Sequence, residues 1–176
     1  SMKPIDSLCE LIDNAIDSFE LEPKTPHPLV LVDLPTRKEL SEGQALLRVR
    51  DNGPGLSLDQ MEQALRAGYS SKSSYGTLGL FGVGFNIASG KLGQVTRFVT
   101  TRKEDDFALE AIVDLDKLRR QKDYKLLPRS IEKPENLLHG TMVEITNPWA
   151  EGNQNYGFML KLIQQGRPGI LRSLGR

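Results

Sequence analysis

Near its start the chain carries the stretch Glu10-Leu11-Ile12-Asp13-Asn14-Ala15-Ile16-Asp17-Ser18, whose spacing predicts a helix with two different faces. The apolar face holds Leu8, Leu11, Ile12, Ala15, Ile16 and Phe19. The polar face holds Glu10, Asn14 and Asp17 without any lysine or arginine, although opposite charges four residues apart would support a helix. Carboxylate and amide oxygens suit a hard cation such as Mg²⁺, and a carboxylate can act as a general base. The helix is therefore predicted to hold a metal ion and a water molecule against an anionic ligand.

The composition favours an intracellular protein of one domain. The 176 residues suffice for a core, and 23 basic residues against 23 acidic ones give a formal net charge of zero. This balance argues against a nucleic acid bound over the whole surface. Cys9 is the single cysteine, which excludes an internal disulfide and favours a cytoplasmic location. No apolar run has the length of a membrane span, so no membrane partner is expected.

The order of the predicted elements favours an α+β fold. Alternating apolar residues predict strands at 29–32, 45–50, 94–101, 107–113 and 141–145, with a polar connection at 33–43. Helical spacing predicts helices at 58–67, 82–89, 116–123 and 156–165. Residues 1–176 are therefore predicted to form one two-layer α/β sandwich, with a mixed or antiparallel sheet and helices on one face.

The segment Asp51-Asn52-Gly53-Pro54-Gly55 directly follows the second predicted strand. These are ordinary turn residues, so a simple polar turn is one interpretation. In the other interpretation, Asp51 accepts a hydrogen bond from an exocyclic amine of a flat base, and Gly53 and Gly55 let that base lie close to the backbone. Taken alone, the segment leaves both interpretations open.

A glycine-rich turn, Gly79-Leu80-Phe81-Gly82-Val83-Gly84, leads into a predicted helix. Backbone N–H groups at a helix start bind phosphate well, while close packing at the helix entry is the alternative. The turn lacks the lysine of a Walker loop and the preceding strand of a dinucleotide fingerprint. Just before it, residues 68–79 are rich in hydroxyls and include Lys72, which predicts either an exposed loop or a lid over phosphate oxygens.

Gly140-Thr141 precedes the last predicted strand, where Thr141 is either an ordinary strand residue or a hydroxyl beside the base that Asp51 contacts. Together and in this order, the four motifs are typical of one nucleotide-binding site. In this order they resemble the ATP-binding domain of the GHKL superfamily, the Bergerat fold. That group includes gyrase B subunits, the ninety-kilodalton heat-shock chaperones, MutL proteins, MORC ATPases and sensor histidine kinases. The resemblance extends from Glu10 to Thr141.

The resemblance implies a role for each motif in an ATP site. Glu10 would be the general base for the attacking water, Asn14 would bind Mg²⁺, and Asp17 would support that helix face. Asp51 would accept a hydrogen bond from the adenine amine, and Thr141 would reach the adenine directly or through water. The remaining implied contacts are Gly53 and Gly55 beside the base and Lys72, Gly79, Gly82, Val83, Gly84 and Phe85 around the phosphates.

The resemblance also implies an activity. Glu10 four residues before Asn14, with Asp17 following, resembles the ATPase branch, because histidine kinases typically carry a basic or aromatic residue where Asp17 stands. We therefore expect a Mg²⁺-dependent ATPase domain that binds ATP and ADP and acts as a nucleotide-gated conformational or dimerisation switch. The alternatives are the catalytic domain of a histidine kinase and a non-catalytic nucleotide-sensing module. The sequence does not identify a client or nucleic-acid partner.

The chain is expected to be a fragment of a longer protein. ATPases of this superfamily usually complete the site with a lysine or arginine from a following domain, and residues 146–176 are too few for one. Ser1-Met2 is interpreted as a remnant of cloning. Weak or absent hydrolysis is therefore expected for the isolated chain.

Overall fold

The computed structural model describes residues 2–22, 24–69, 83–121 and 126–174. Within these residues, helices cover one face of a sheet with the strand order β1-β2-β6-β3-β4-β5. All neighbouring strands are antiparallel, which decides between the predicted mixed and antiparallel sheets. The strands are β1 (Val30–Asp33), β2 (Leu47–Asp51), β3 (Val95–Thr101), β4 (Phe107–Asp114), β5 (Arg129–Glu132) and β6 (Gly140–Thr146). The helices are α1 (Pro4–Asp17), α2 (Arg37–Ser41), α3 (Leu58–Tyr69), α4 (Val83–Leu92), α5 (Leu115–Arg120) and α6 (Phe158–Leu174), and a 3₁₀ turn (Ser18–Leu21) follows α1.

Capping residues set where two of the helices begin. At the start of α1, the Asp6 carboxylate accepts a hydrogen bond from the Lys3 N–H at 2.7 Å. At the start of α2, Glu39 N–H donates to Thr36 Oγ1 at 3.2 Å, and Thr36 N–H donates to the Glu39 carboxylate at 2.7 Å. This reciprocal pair corrects the prediction of a polar connection at 33–43, because it stabilises a short helix that has no buried face.

The faces of α1 differ from the predicted ones at two residues. Leu8 and Leu11 are buried as predicted, but Asn14 is only 6% exposed and Ile16 is 50% exposed. The cause is the position of α1 over β1 and β2, which turns the Asn14 side of the helix toward the end of the sheet. An amide predicted on the outer face thus lies at the boundary between helix and sheet.

Other boundaries differ where tertiary context overrides local pattern. β5 was not predicted, because its polar residues reveal a strand only through their pairing with β4. α5 ends at Arg120 rather than at 123. α6 continues to Leu174, beyond the predicted end at 165, with a kink at Gly166, whose φ is 60°.

The main core lies between the helices and the inner face of the sheet. Val143 of β6 is opposite Val49 of β2 on one side and opposite Phe98 of β3 on the other. Phe85 of α4 meets Phe98 edge to face, with 6.3 Å between the ring centroids. α1 and α4 pack against each other over this layer. Among the helices of the described ranges, none has both the length and the hydropathy needed to cross a membrane.

A row of alternating charges crosses the outer face of the sheet, with one residue from each strand. Arg48 Nη2 lies 2.7 Å from Glu144, and Arg97 lies 2.8 Å from Glu144 and 2.5 Å from Glu110. In strand order the row is Asp33, Arg48, Glu144, Arg97, Glu110 and Arg129. Burial works to raise the pKa of Glu110 and of Glu144, but hydrogen bonds from the arginines outweigh it and hold both below the ordinary value. Both glutamates are therefore ionised and paired at neutral pH.

We expect Arg97→Met to lower the free energy of unfolding by roughly 3 kcal/mol at pH 7, because two buried carboxylates lose a shared partner. The lowered pKa values mean that the pairing stabilises the protein above the ordinary glutamate pKa and is lost as the pH falls through the folded-state values. The difference between variant and wild type should therefore shrink below about pH 4. Urea denaturation at several pH values measures it.

Arg120→Met is the matched control, because Arg120 is 77% exposed and pairs with Asp116 at 3.0 Å. We expect this variant to change stability by no more than about 0.5 kcal/mol. An equal loss in both variants, or a loss in Arg97→Met that persists in acid, would contradict the role given to the charge row.

Candidate functional site

A pocket lies where α1 passes over the ends of β2 and β6. It is narrow: the described residues leave only about 20 Å³ for the centre of a water molecule, which is little more than the room that one water needs. Five of the residues singled out in the sequence meet there: Asn14, Asp51, Gly55, Phe85 and Thr141. The other lining residues are mostly apolar: Leu11, Ala15, Ser18, Leu21, Val49, Pro54, Leu56 and Val143.

Asp51 is a buried carboxylate at the last position of β2. Its side chain belongs to a residue only 5% exposed, and Oδ1 accepts hydrogen bonds from Gly53 N–H at 2.8 Å and Thr141 N–H at 3.2 Å. Burial raises its pKa to about 6, against the lowering effect of these two bonds, a bond from Ser18 and the charge of His139. Because both backbone bonds end on Oδ1, the carboxylate has a fixed orientation.

The two glycines after Asp51 are required by the protein's own packing. A Cβ at Gly55 would lie 2.1 Å from the Thr101 carbonyl oxygen, and the φ of Gly55 is +71°. A Cβ at Gly53 would lie 2.5 Å from Ser18 Oγ. Room for a base is the reason predicted for these glycines from the sequence, and the structure adds a close approach to β3 and another to the end of α1. Both contacts keep the turn tight against Asp51.

Thr100 is a site residue that the sequence analysis missed. Its hydroxyl accepts a hydrogen bond from Leu56 N–H at 2.9 Å, and it lies 3.2 Å from both the Gly140 carbonyl oxygen and Thr141 Oγ1. Thr100 is fully buried, so these bonds join the turn after β2 to the start of β6 without competition from water. A threonine inside a strand carries no signal of such a role, because threonine is common in strands.

Two residues just before Thr141 have structural roles that were not predicted from the sequence. His139 Nδ1 donates to the Gly53 carbonyl oxygen at 2.9 Å, which ties the residue before β6 to the turn. Gly140 has a φ of 108°, and a Cβ there would lie 2.2 Å from the Asp51 carbonyl oxygen. The pair His139-Gly140 thus holds Thr141 beside Asp51.

The polar face of α1 is only partly directed into the pocket. Asn14 lines it, and its Nδ2 donates to the Glu10 carbonyl oxygen at 2.5 Å and lies 3.5 Å from Glu10 Oε1. Glu10 is half-buried one turn earlier and Asp17 is exposed, and neither of them lines the pocket. The structure therefore brings Glu10 and Asn14 together and leaves Asp17 apart.

The described residues fit Mg²⁺ only as part of a site completed by a ligand. Within the described ranges, no three Asp, Glu, His or Cys side chains are grouped as a metal site would need. Mg²⁺ is commonly held by one or two protein oxygens together with waters and substrate phosphates. Because Asn14 Nδ2 is directed at Glu10, its Oδ1 is the atom suited to such a single contact.

The phosphate-side residues are divided between described and undescribed parts of the chain. Lys72, Gly79 and Gly82 lie outside the described residues, as does nearly all of the predicted lid. Val83 and Gly84 are the first residues of α4, in agreement with the predicted helix entry. Phe85 is buried, packs on Phe98 and contributes an apolar wall of the pocket.

Comparison with known families identifies the kind of domain. Residues 2–143 match the family model described as "Histidine kinase-, DNA gyrase B-, and HSP90-like ATPase". The chain belongs to this ATPase family. Its fold is that of two solved ATPase domains, although their sequence identity is too low to show more than the fold. The resemblance inferred from the motifs and the antiparallel α/β sandwich are therefore confirmed.

The two solved structures have TM-scores of 0.53. One is the 43K ATPase domain of Thermus thermophilus gyrase B in complex with an aminocoumarin, at 18% identity, covering 95% of this chain and 37% of that one. The other is the Aquifex aeolicus MutL ATPase domain complexed with ADP, at 19% identity, covering 99% of this chain and 54% of that one.

Curated relatives point to the same family. Protein MICRORCHIDIA 4 of Arabidopsis thaliana is 32% identical over 88 residues, which are 49% of this chain and 10% of the relative. Protein MICRORCHIDIA 7 of the same plant is 34% identical over 88 residues, 49% of this chain and 12% of the relative. The matched part of the chain thus spans only 10% and 12% of the length of these relatives.

We expect Gly55→Ala to destabilise the protein far more than Gly43→Ala. Both glycines have positive φ, +71° and +73°, but a Cβ at Gly43 would meet nothing within 4 Å, whereas one at Gly55 would collide with Thr101. Gly43→Ala should therefore cost only the backbone strain of about 1 kcal/mol. Gly55→Ala adds an overpacking cost and should reach roughly 3 kcal/mol. Thermal and urea denaturation measure both, and equal losses would contradict the close approach of the turn to β3.

Proposed function

We propose that the chain is the ATP-binding and Mg²⁺-dependent ATP-hydrolysing module of a longer protein, in which bound ATP favours a closed or dimeric state. The observation that carries the proposal is the pocket that joins a buried, oriented Asp51 carboxylate to Asn14 of α1. Family membership supports ATP as the nucleotide. The solved MutL domain of the same fold was complexed with ADP, which supports an adenine nucleotide here as well.

The Asp51 end of the pocket would bind adenine. With Oδ1 occupied by two backbone N–H groups, the carboxylate can accept the exocyclic amine of adenine through Oδ2. Val49, Leu56 and Val143 offer apolar walls for the faces and edge of the ring. The Thr141 hydroxyl, held at 3.2 Å from Thr100 Oγ1, provides a second polar contact for the base, directly or through water.

The α1 end of the pocket would bind the phosphates and the metal ion. Asn14 Oδ1 would ligate Mg²⁺. The bound ion would neutralise negative charge on the phosphates. Glu10, one helical turn away, would accept a proton from the attacking water. The N–H groups of Val83 and Gly84, in the first turn of α4, lack partners within the helix and are suited to phosphate oxygens. Lys72, Gly79 and Gly82 remain part of the proposed phosphate site.

The described lining of the pocket includes neither lysine nor arginine. Positive charge on the γ-phosphate is a large part of phosphoryl-transfer catalysis. We propose that the longer protein supplies such a charge in addition to Lys72, as the family resemblance implies, and that the chain alone binds ATP but hydrolyses it slowly. The same contact would make closure depend on the γ-phosphate, which distinguishes ATP from ADP.

We expect Glu10→Ala to reduce turnover in the longer protein by about 10²-fold or more while ATP affinity stays within a few-fold, because a general base acts only in the chemical step. Asn14→Ala should instead weaken Mg-ATP binding by about tenfold or more, because a metal contact is lost. Calorimetry and steady-state kinetics separate the two effects.

The matched control is Asp13→Asn, an exposed carboxylate on the same helix, which should change neither quantity. Unchanged turnover in Glu10→Ala would remove the assigned base, and unchanged Mg-ATP affinity in Asn14→Ala would remove the assigned metal ligand. Transfer of γ-phosphate label to a histidine of a partner protein would favour a kinase instead.

We expect Asp51→Asn to weaken ATP binding by more than about tenfold. The substitution should also change how the free energy of unfolding depends on pH. Because burial raises the pKa of Asp51 to about 6, ionisation costs stability in the folded state. Wild type should therefore lose stability relative to the variant as the pH rises from about 4 to 6, by roughly 3 kcal/mol in total. Calorimetry with a non-hydrolysable ATP analogue and Mg²⁺, together with denaturation from pH 4 to 7, measures both effects.

Asp13→Asn serves as the control for both measurements, because Asp13 is exposed and outside the pocket. A stability difference between Asp51→Asn and wild type that stays constant over this pH range would contradict the raised pKa. No binding of the ATP analogue by well-folded wild type would overturn the proposed function itself.

A further inference from the structure

A second concave site lies at the opposite end of β6 from the ATP pocket. It is bounded by α2, by the last residue of α4, by the segment after β6 and by the first turn of α6. The two sites share no lining residue. Three aromatic residues, Trp149, Tyr156 and Phe158, line the second site together with Arg37, and most of its other lining residues are apolar or glycine. We call it the aromatic bowl.

The aromatic walls of the bowl are held in place. Trp149 Nε1 donates to the Gly90 carbonyl oxygen at 2.7 Å, which ties the segment after β6 to the end of α4. The Arg119 guanidinium lies 5.6 Å from the Trp149 ring centroid, and Lys91 Nζ lies 5.3 Å from the Phe158 ring centroid. Rings fixed in this way lose little freedom when a partner covers them, which favours binding.

The one charged side chain in the described lining of the bowl is positive. Its described lining contains Arg37 and no aspartate or glutamate. Within the described part of the chain, neither Arg37 nor Lys91 takes part in an ion pair. The carboxylates of α2 and its C-cap are engaged elsewhere, since Glu39 accepts from Thr36 and Glu42 lies 3.9 Å from Lys38. The bowl is thus complementary to an anion beside an apolar group.

The bowl resembles the centre of a protein interface more than a small-molecule pocket. Tryptophan, tyrosine, phenylalanine, methionine and arginine are the residues enriched in interface centres, and lysine, aspartate and glutamate are depleted there. Tyr156 is 53% exposed, so the bowl is open and a small ligand would keep much of its surface in water. A peptide could insert one side chain and cover the rim with its neighbours.

We propose that the aromatic bowl docks a protein segment in which a large apolar or aromatic anchor is flanked by acidic residues. The anchor packs among Trp149, Tyr156 and Phe158, and the flanking carboxylates meet Arg37 and Lys91. Because the bowl shares no residue with the ATP pocket, this docking does not depend on the proposed nucleotide chemistry.

The test is selection of a random dodecapeptide library displayed on phage against immobilised wild-type chain. We expect enrichment of peptides with an aromatic or large aliphatic residue next to aspartate or glutamate. Synthetic versions without tryptophan are then titrated against the protein. Trp149 is the only tryptophan of the chain, so a change in its fluorescence reports directly on occupation of the bowl.

Two variants at the rim decide between docking in the bowl and binding elsewhere. Arg37→Glu and Tyr156→Ser, both at exposed residues, should each weaken binding of the selected peptide by about tenfold or more. Lys103→Glu, an exposed charge reversal in the turn between β3 and β4, should not weaken it. Asp51→Asn should also bind the peptide as wild type does, which keeps this result separate from that of ATP binding.

The proposal is overturned if no peptide is enriched above the bare support, or if the enriched peptides are basic. It is also overturned if Arg37→Glu and Tyr156→Ser bind the selected peptide as tightly as wild type. Thermal denaturation of each variant establishes that it is folded, and Lys91→Glu replaces Arg37→Glu if that variant does not fold.

Discussion

The site depends on one buried carboxylate that is held by backbone N–H groups from two parts of the chain. Asp51 ends β2, Thr141 begins β6, and the hydrogen bond between them exists because these strands are paired in a register that places Leu47 opposite Ile145. A slip of one residue in that pairing would turn the carboxylate to the outer face of the sheet. The packing of the Val49 and Val143 row against α1 and α4 therefore sets the geometry of the pocket.

The sequence predicted the helices and strands in which residues of one kind recur at a fixed spacing. The amphipathic pattern of residues 4–17, the strand before Asp51 and the helix entry at Val83 were all predictable, and they suffice for the α/β sandwich. What local pattern could not reveal was contact between distant segments. Thr100 is an ordinary strand residue in sequence, and both its hydrogen bonds and the close approach of Gly140 to Asp51 follow only from atoms brought together by the sheet. Asn14 lines the same pocket as Asp51, but it was predicted on the exposed face of α1, because the period of a helix does not tell which neighbour will cover each side.

The two concave sites are built from different parts of the fold and offer a ligand different side chains. The Asp51 pocket uses strand ends and a turn with little freedom, as suits a site in which a carboxylate must be oriented before the ligand arrives. The aromatic bowl uses the segment after β6 and the ends of three helices, where side chains are larger and more exposed. β6 connects them, since Thr141 is near its start and Pro148 and Trp149 lie just beyond its end.

The charge row on the outer face has a consequence for how the sheet can assemble. Opposite charges face each other on successive strands, from Asp33 at one edge to Arg129 at the other. A second sheet stacked on this face would have to remove water from the ionised groups at the ends of the row, which costs more than apolar contact would return. At the charge row, the outer face is therefore unsuited to apolar stacking of a second sheet.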